Sequence, residues 1–451
     1  MSPSKSKNLT PSYAVIQGLY WMYFAAIMSF SGFFLLSGGF TNTQIGILAA
    51  IAGLLSAVLQ PVLAGYADQP QSPSLKKLIQ MLYFLQLILV IGLFLSHSLI
   101  LTGLLYGSSI ALLQLMTPFI NSLGMESINQ GHSLNFGLAR GMGSVAYACI
   151  CYILGIITVK AGPVSIPITV IVLTLLSLGI LILFPFSKAK SDSTATNAPK
   201  SSSDSNPILF FRKYKRFSLV LLGCIFIYLS HVLLNNFNFQ IALAKGGGSA
   251  EMGTASAIAA ICELPTLFLF GYIIRKFRCD LLLKTAGIFF TIKALGTLLA
   301  PGIPVFYGVQ IFQMLGWGLM TAASVYYVNA LMEPEDAIKG QAYFTMAYTL
   351  GSVLGSFLGG TLIDLAGVHA MLLFSTVSAF IGALIVLIFA ERTSKYYSKK
   401  HRKQILLPSV CGVFHLLFFI YYFSFVSFPS ALFIRTNLIP LTIPTDFHPF
   451  S

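Results

Sequence analysis

Apolar stretches of about 20 residues, the length needed to cross a bilayer as a helix, recur along the chain with short polar breaks between them. They predict spans near 13–38, 42–67, 75–96, 98–122, 134–158 and 163–186, then 217–243, 249–275, 281–300, 303–331, 339–365 and 369–390. Residues 188–206 interrupt this pattern. They are rich in Ser, Lys, Asp and Ala and have no apolar periodicity, as expected of a solvated linker. The spans therefore group as six and six, which divides the chain into an N-terminal six-helix bundle (1–186), a cytoplasmic linker (187–216), a C-terminal six-helix bundle (217–392) and a final segment (393–451). That last segment begins basic and continues into an atypical apolar tail. Residues 405–426 are apolar enough for a thirteenth span, yet a Pro-rich irregular stretch follows, so we expect an accessory or non-native extension to the twelve-helix plan. The first apolar segment is too long for a cleavable signal peptide and lacks a small-residue cleavage site.

Composition narrows the class. With 56% hydrophobic and only 9% charged residues, the chain is neither a soluble globular fold nor a disordered one; the fold class is an all-α polytopic membrane protein. The net charge of +14 would ordinarily raise the question of nucleic acid. Here the cations are dispersed over loops on one side of the topology: Lys5, Lys7, Lys76, Lys77, the run from Lys188 to Arg216, Arg275, Lys276, Arg278, Lys284, Lys339, and the cluster from Arg392 to Lys403. Only Lys160 and Lys245 fall on the other side. Positive charge marks the cytoplasmic side, so both ends of the twelve-helix core are expected there, in a cell-membrane protein surrounded by lipid, with no nucleic-acid partner. The six cysteines form no CxxC pair and lie in or beside apolar stretches, which reads as small buried hydrophobes and no metal site.

Candidate chemistry stands out against so apolar a background. Arg140, Glu263 and Lys293 each lie inside a predicted span. An ionisable group at membrane depth is costly unless it faces a protein-lined cavity, and is a functional candidate for that reason. Polar side chains also share helix faces: His231, Asn235 and Asn238; Gln310, Gln313, Trp317, Thr321 and Ser324; Arg140, Gly143, Ser144 and Tyr147; Gln17, Tyr20 and Phe24. Any single amide can serve merely to bond a neighbouring helix. Four stripes together describe a polar cavity suited to a polyhydroxylated solute, in which amides meet hydroxyl pairs and a ring packs on an apolar sugar face. Gly351, Gly355 and Gly359, four apart, read as a helix-packing stripe. There is no nucleophile–base set, phosphate loop or metal-ligand spacing, so neither an enzyme nor a cofactor is expected.

The stretches LQPVLAGYAD (59–68), FGLARGMGS (136–144), CELP (262–265) and GIFFTIKALG (287–296) together resemble the lactose permease branch of the major facilitator superfamily, the oligosaccharide:proton symporters. The resemblance spans about residues 13–392. It implies the major facilitator fold, and it implies that Arg140 is a bidentate sugar ligand. It further implies that Tyr147 stands where the family stacks a tryptophan on the sugar, that Glu263 links sugar recognition to proton coupling, and that Lys293 replaces an arginine facing that carboxylate. Asp68, with Gly65 in the same loop motif, would take part in the conformational switch. The chain departs from the family in the tenth span, where its histidine and proton-releasing glutamate read Gln313 and Gly316. It departs again where the Asp–Lys pair of the seventh and eleventh spans reads Leu234 and Tyr348, and where the fourth-span glutamate falls at Asn121 or Ser122. With Tyr20, Asn235, Asn238 and Trp317 added as cavity residues, the expectation is a monomeric secondary transporter that takes up a saccharide with protons by alternating access. A facilitator or exporter of another small organic solute, such as a nucleoside, an aromatic acid or a drug-like compound, is the alternative.

Overall fold

A computed structural model describes residues 8–67, 69, 71–186 and 207–393. Asp68, the solvated stretch 188–206 and the apolar stretch 405–426 lie outside the described residues.

The described chain is almost entirely helical; ten of its helices are long and apolar enough to cross a membrane, eleven with the bent first pair taken as one span, and twelve once Pro334–Phe389 is divided at Gly367. We label them α1 (10–37), α2 (Asn42–Ala67), α3 (Leu75–Leu95), α4 (Leu99–Asn129), α5 (Phe136–Ala161), α6 (Ser165–Leu183), α7 (215–244), α8 (Ser249–Lys276), α9 (Cys279–Leu299), α10 (303–331), α11 (334–366) and α12 (368–389). Helix α11 runs into α12 without a loop, the direction changing at Gly367, whose φ of 82° a side chain would disfavour. Polar caps fix several starts where apolar periodicity alone would not. Asn135 accepts from Leu138 N at 3.0 Å to open α5, and Glu251 accepts from Gly248 N at 2.8 Å to open α8. Helix α4 runs seven residues past its expected end at 122, because Asn121, Ser122, Glu126 and Ser127 continue the helix beyond its apolar stretch.

Three spans are not regular. Helix α1 loosens into a π-helical turn at Ala25–Ser29 and bends by 44° before Ser31–Ser37. Helix α7 breaks at Phe237 between Lys215–Asn236 and Asn238–Ala244. Helix α10 passes from Ile303–Val309 through a 3₁₀ turn at Gln310–Gln313 to a non-helical Gly316 (φ −84°, ψ −89°) and resumes at Trp317. Irregular backbone at membrane depth is tolerated only where protein or a cavity satisfies it.

Within the first six helices, tyrosines set the register. Tyr13, Tyr20 and Tyr106 donate to the carbonyls of Ile120, Leu113 and Ile27 at 2.9, 3.0 and 2.7 Å, which locks α1 antiparallel to α4. In the second six, the stripe Gly351, Gly355, Gly359 packs on α7, with Gly355 set against the Leu229 carbonyl so that a Cβ would come within 2.8 Å of it. The Ser230 and Ser375 hydroxyls, 2.8 Å apart, join α7 to α12.

We call the face with residues 8 and 393 the near face, and the face with the turn at Gly367 the far face. The two sets of six meet tightly at the far face, where small residues allow backbone-to-backbone contact. Gly46 abuts Ser356 O, Gly360 abuts Asn42 O and Gly253 abuts Cys151 O, each so closely that a Cβ would collide. Asp364 of α11 closes the same face by capping α2: its Oδ1 accepts from Asn42 N (3.2 Å) and Nδ2 (2.8 Å), and its Oδ2 accepts from Thr43 N (2.6 Å). Gln240 of α7 adds a bond to Asn42 Oδ1 at 2.9 Å. A carboxylate at a helix N-terminus meets both unsatisfied N–H groups and the helix dipole. Asp364→Ala is therefore expected to loosen the far face. A cysteine placed at Val353, in a background lacking the native cysteines, should react several-fold faster with a membrane-impermeant thiol reagent applied from the far side; an unchanged rate would remove Asp364 from the closure.

Candidate functional site

Beneath the far-face closure lies a cavity of about 590 Å³ between the two sets of helices, lined also by Gln60, Thr345 and Thr349. That volume falls in the range of small-molecule sites, about 300–1,000 Å³. The irregular turns of α1 and α10 border it: Ser29 lies in the π turn, and Gln310, Gln313 and Trp317 flank the α10 break.

Helices α1, α4 and α5 build one wall. The Arg140 guanidinium lies over the Trp21 ring, 4.0 Å from its centroid. Trp21 is itself held, since its Nε1 donates to Gln17 Oε1 at 3.1 Å. Gln17, fully buried, donates in turn to Tyr13 Oη at 2.7 Å and to Asn121 Oδ1 at 3.1 Å. Arg140 is thus aimed by a ring whose orientation is fixed through three side chains. Tyr147, one helical turn beyond Ser144, shares a 2.6 Å hydroxyl contact with Ser29.

Helices α7, α9 and α10 build the opposite wall. Lys293, only 4% exposed, donates to Gln313 Oε1 at 2.6 Å. The His231 ring stacks on Trp317 with centroids 4.3 Å apart and planes 7° from parallel. Asn235 Nδ2 donates to His231 O at 2.7 Å, and Asn238 Nδ2 donates to Ser256 Oγ at 2.9 Å.

Glu263 on α8 lies between the walls. The Ser144 hydroxyl is 3.5 Å from Glu263 Oε1 and 3.4 Å from Arg140 Nη1, so it sits between that carboxylate and that cation at the long edge of hydrogen bonding. On the other side, Gln313, which also lines the cavity, accepts from Lys293. Among the described residues, Glu263 forms no ion pair within 4 Å with Arg140 or Lys293; one side chain intervenes on each side. Pro265, two residues on, removes the backbone N–H that would have bonded the Ile261 carbonyl, so one rung of the hydrogen-bond ladder of α8 is missing beside the carboxylate.

Most residues singled out in the sequence line this cavity: Arg140, Tyr147, Asn121, Asn235, Asn238, Gln313, Trp317, Glu263 and Lys293. Tyr20 does not. It is 1% exposed, with its hydroxyl turned to the Leu113 carbonyl and to Thr117, because α1 presents Trp21 and Phe24 to the cavity in its place. Gly65 lies near the end of α2, away from the cavity, with open space where a Cβ would stand. The sequence reading missed Trp21, although one of only two tryptophans in the chain, inside a span, is a visible signal. It also missed Gln114, Gln60, Asn236 and Ser29, which line the cavity as well.

Twelve apolar helices in two sets around a central polar cavity, sealed at one face, are the build of a membrane transporter. The chain belongs to the MFS_1 like family, within the major facilitator superfamily, whose profile matches residues 13–376. No curated protein sequence matches the chain. Among solved structures it is similar to the nucleoside transporter NupG (12% identity, TM-score 0.69, covering 85% of this chain and 98% of that one). It is also similar to a bacterial homolog of the human lysosomal transporter Spinster, in an inward-facing and unoccupied conformation (15% identity, TM-score 0.59, 86% and 98% covered). A bacterial homologue of the human drug peptide transporters PepT1 and PepT2 is a third (12% identity, TM-score 0.59, 84% and 94%). At these identities the likeness establishes the fold.

Trp21→Leu should uncover the Arg140 guanidinium and cost about 1–2 kcal/mol, the worth of a partly desolvated cation–π contact. Thermal unfolding in detergent measures this, with Trp21→Tyr, which keeps a ring, expected to lose less. Equal loss in both variants would count against the ring's role.

Proposed function

We propose that this transporter takes up a saccharide or related polyhydroxyl solute together with protons, by alternating access. It would act as a monomer in the cell membrane with both ends of the twelve-helix core cytoplasmic, in bundles 1–186 and 217–392 joined by the 187–216 linker. The observation that carries the reading is Glu263, a carboxylate in a cavity shared by both sets of helices, one side chain away from a cation on each wall. In this reading Arg140 and the amides of Asn121, Asn235, Asn238 and Gln313 bind hydroxyls, while Trp317 and Tyr147 offer rings to an apolar sugar face. Glu263 takes and releases the proton, and Lys293 responds to its charge through Gln313. Gly65, near the end of α2, and Asp68, just after that helix in the sequence, would serve the switch. With both ends cytoplasmic, the sealed far face is external and the cavity serves the inward half of the cycle. The second reading, a facilitator or exporter of another small organic solute such as a nucleoside or an aromatic acid, draws support from the ring-rich lining of Trp21, Tyr147, His231 and Trp317.

Glu263→Gln separates coupling from a structural role for this side chain. A coupling role predicts that the folded variant keeps substrate exchange and loses accumulation driven by a pH gradient, measured in proteoliposomes. Accumulation retained at the wild-type level would remove Glu263 from coupling.

A further inference from the structure

We infer that the solute is a monoanion of the sugar-acid class, a polyhydroxyl compound carrying one carboxylate; this rests on the polyhydroxyl reading above and narrows it. The cavity is lined by two fixed cations, Arg140 and Lys293, and one carboxylate, Glu263, so it carries surplus positive charge even with His231 counted as neutral. The surplus is not balanced locally. Lys293 is 96% buried by its 4% exposure, and its partner is the neutral Gln313 amide at 2.6 Å. Among the described residues neither Lys293 nor Arg140 has a carboxylate oxygen within 4 Å. An ammonium has three donors and a guanidinium five; here Arg140 has one long contact, to Ser144 at 3.4 Å, with its flat face taken by Trp21.

A buried cation without a counter-charge is expensive, and an anion that fits beside it is correspondingly well held. A neutral sugar would satisfy the amides and leave that charge uncompensated. A solute with one carboxylate meets it, giving two cations and two carboxylates in the cavity. The hydroxyls of the same solute still require acceptors and donors, which Asn121, Asn235 and Gln313 supply around the charged centre. A doubly charged solute would reverse the imbalance and set its second carboxylate against Glu263.

The test uses the full chain in nanodiscs and matched pairs that differ only at C6: glucuronate against glucose, and galacturonate against galactose. We expect each acid to bind at least about tenfold more tightly than its neutral partner. Lys293→Met, checked for folding by thermal unfolding, should shrink that preference to within about threefold, while Lys293→Arg keeps it. If Lys293→Met does not fold, the wild type in proteoliposomes decides, because pH-driven uptake of glucuronate should exceed that of glucose by at least about tenfold. Neutral sugars bound or taken up as readily as their acids would overturn the anion and leave the polyhydroxyl reading standing. Binding of uridine or benzoate with no binding of either member of both pairs would overturn the polyhydroxyl reading as well.

Discussion

Everything in this molecule is arranged around the cost of holding charge at membrane depth. Arg140, Glu263 and Lys293 stand at the level where bare lipid would exclude them, and the protein meets the cost by enclosing a polar volume between its two sets of helices. The enclosure explains why neither cation touches the carboxylate. Ser144 and Gln313 occupy the intervening positions, so the three charges interact without collapsing into a closed ion pair. A direct buried pair would be hard to separate; charges held one side chain apart stay responsive to whatever enters the cavity.

Closure of the far face rests on a different economy. Glycines at 46, 253 and 360 bring helix backbones from opposite halves into contact, and Asp364 supplies a charged tie by capping α2. Small residues make a seal with little side-chain interlocking, so separating it requires few rotamer changes. Rigidity is concentrated inside each half, in the tyrosine-to-carbonyl bonds of α1 and α4 and in the glycine stripe of α11 against α7. Two stiff bodies with a thin seal between them are what rocking about a central site requires.

Much of this was legible in the sequence because a bilayer constrains composition so strongly. Span positions follow from apolar length, and the helices at α2, α3 and α9 begin or end within a few residues of expectation. Arg140, Glu263 and Lys293 announced the site by being charged where charge is excluded. What stayed hidden depends on rotation and backbone irregularity. Tyr20 and Trp21 are neighbours on α1 and equally plausible by type, yet 100° of helical turn puts one against Leu113 and the other under Arg140. The break in α10 has no proline to signal it near Gly316. Helix α4 outran its apolar stretch because polar residues can continue a helix once neighbouring chains shelter it.

The interruption of α10 has a mechanical meaning. Gln313 closes its 3₁₀ turn and Trp317 opens the helix that follows, so two cavity-lining side chains sit on separate segments joined by three residues. A solute gripping both would act as a splint across a broken rod, turning two loosely hinged pieces into one stiff strut. Stiffness along α10 would then depend on occupancy, and the same contacts that identify the solute would set how force passes from one end of that helix to the other.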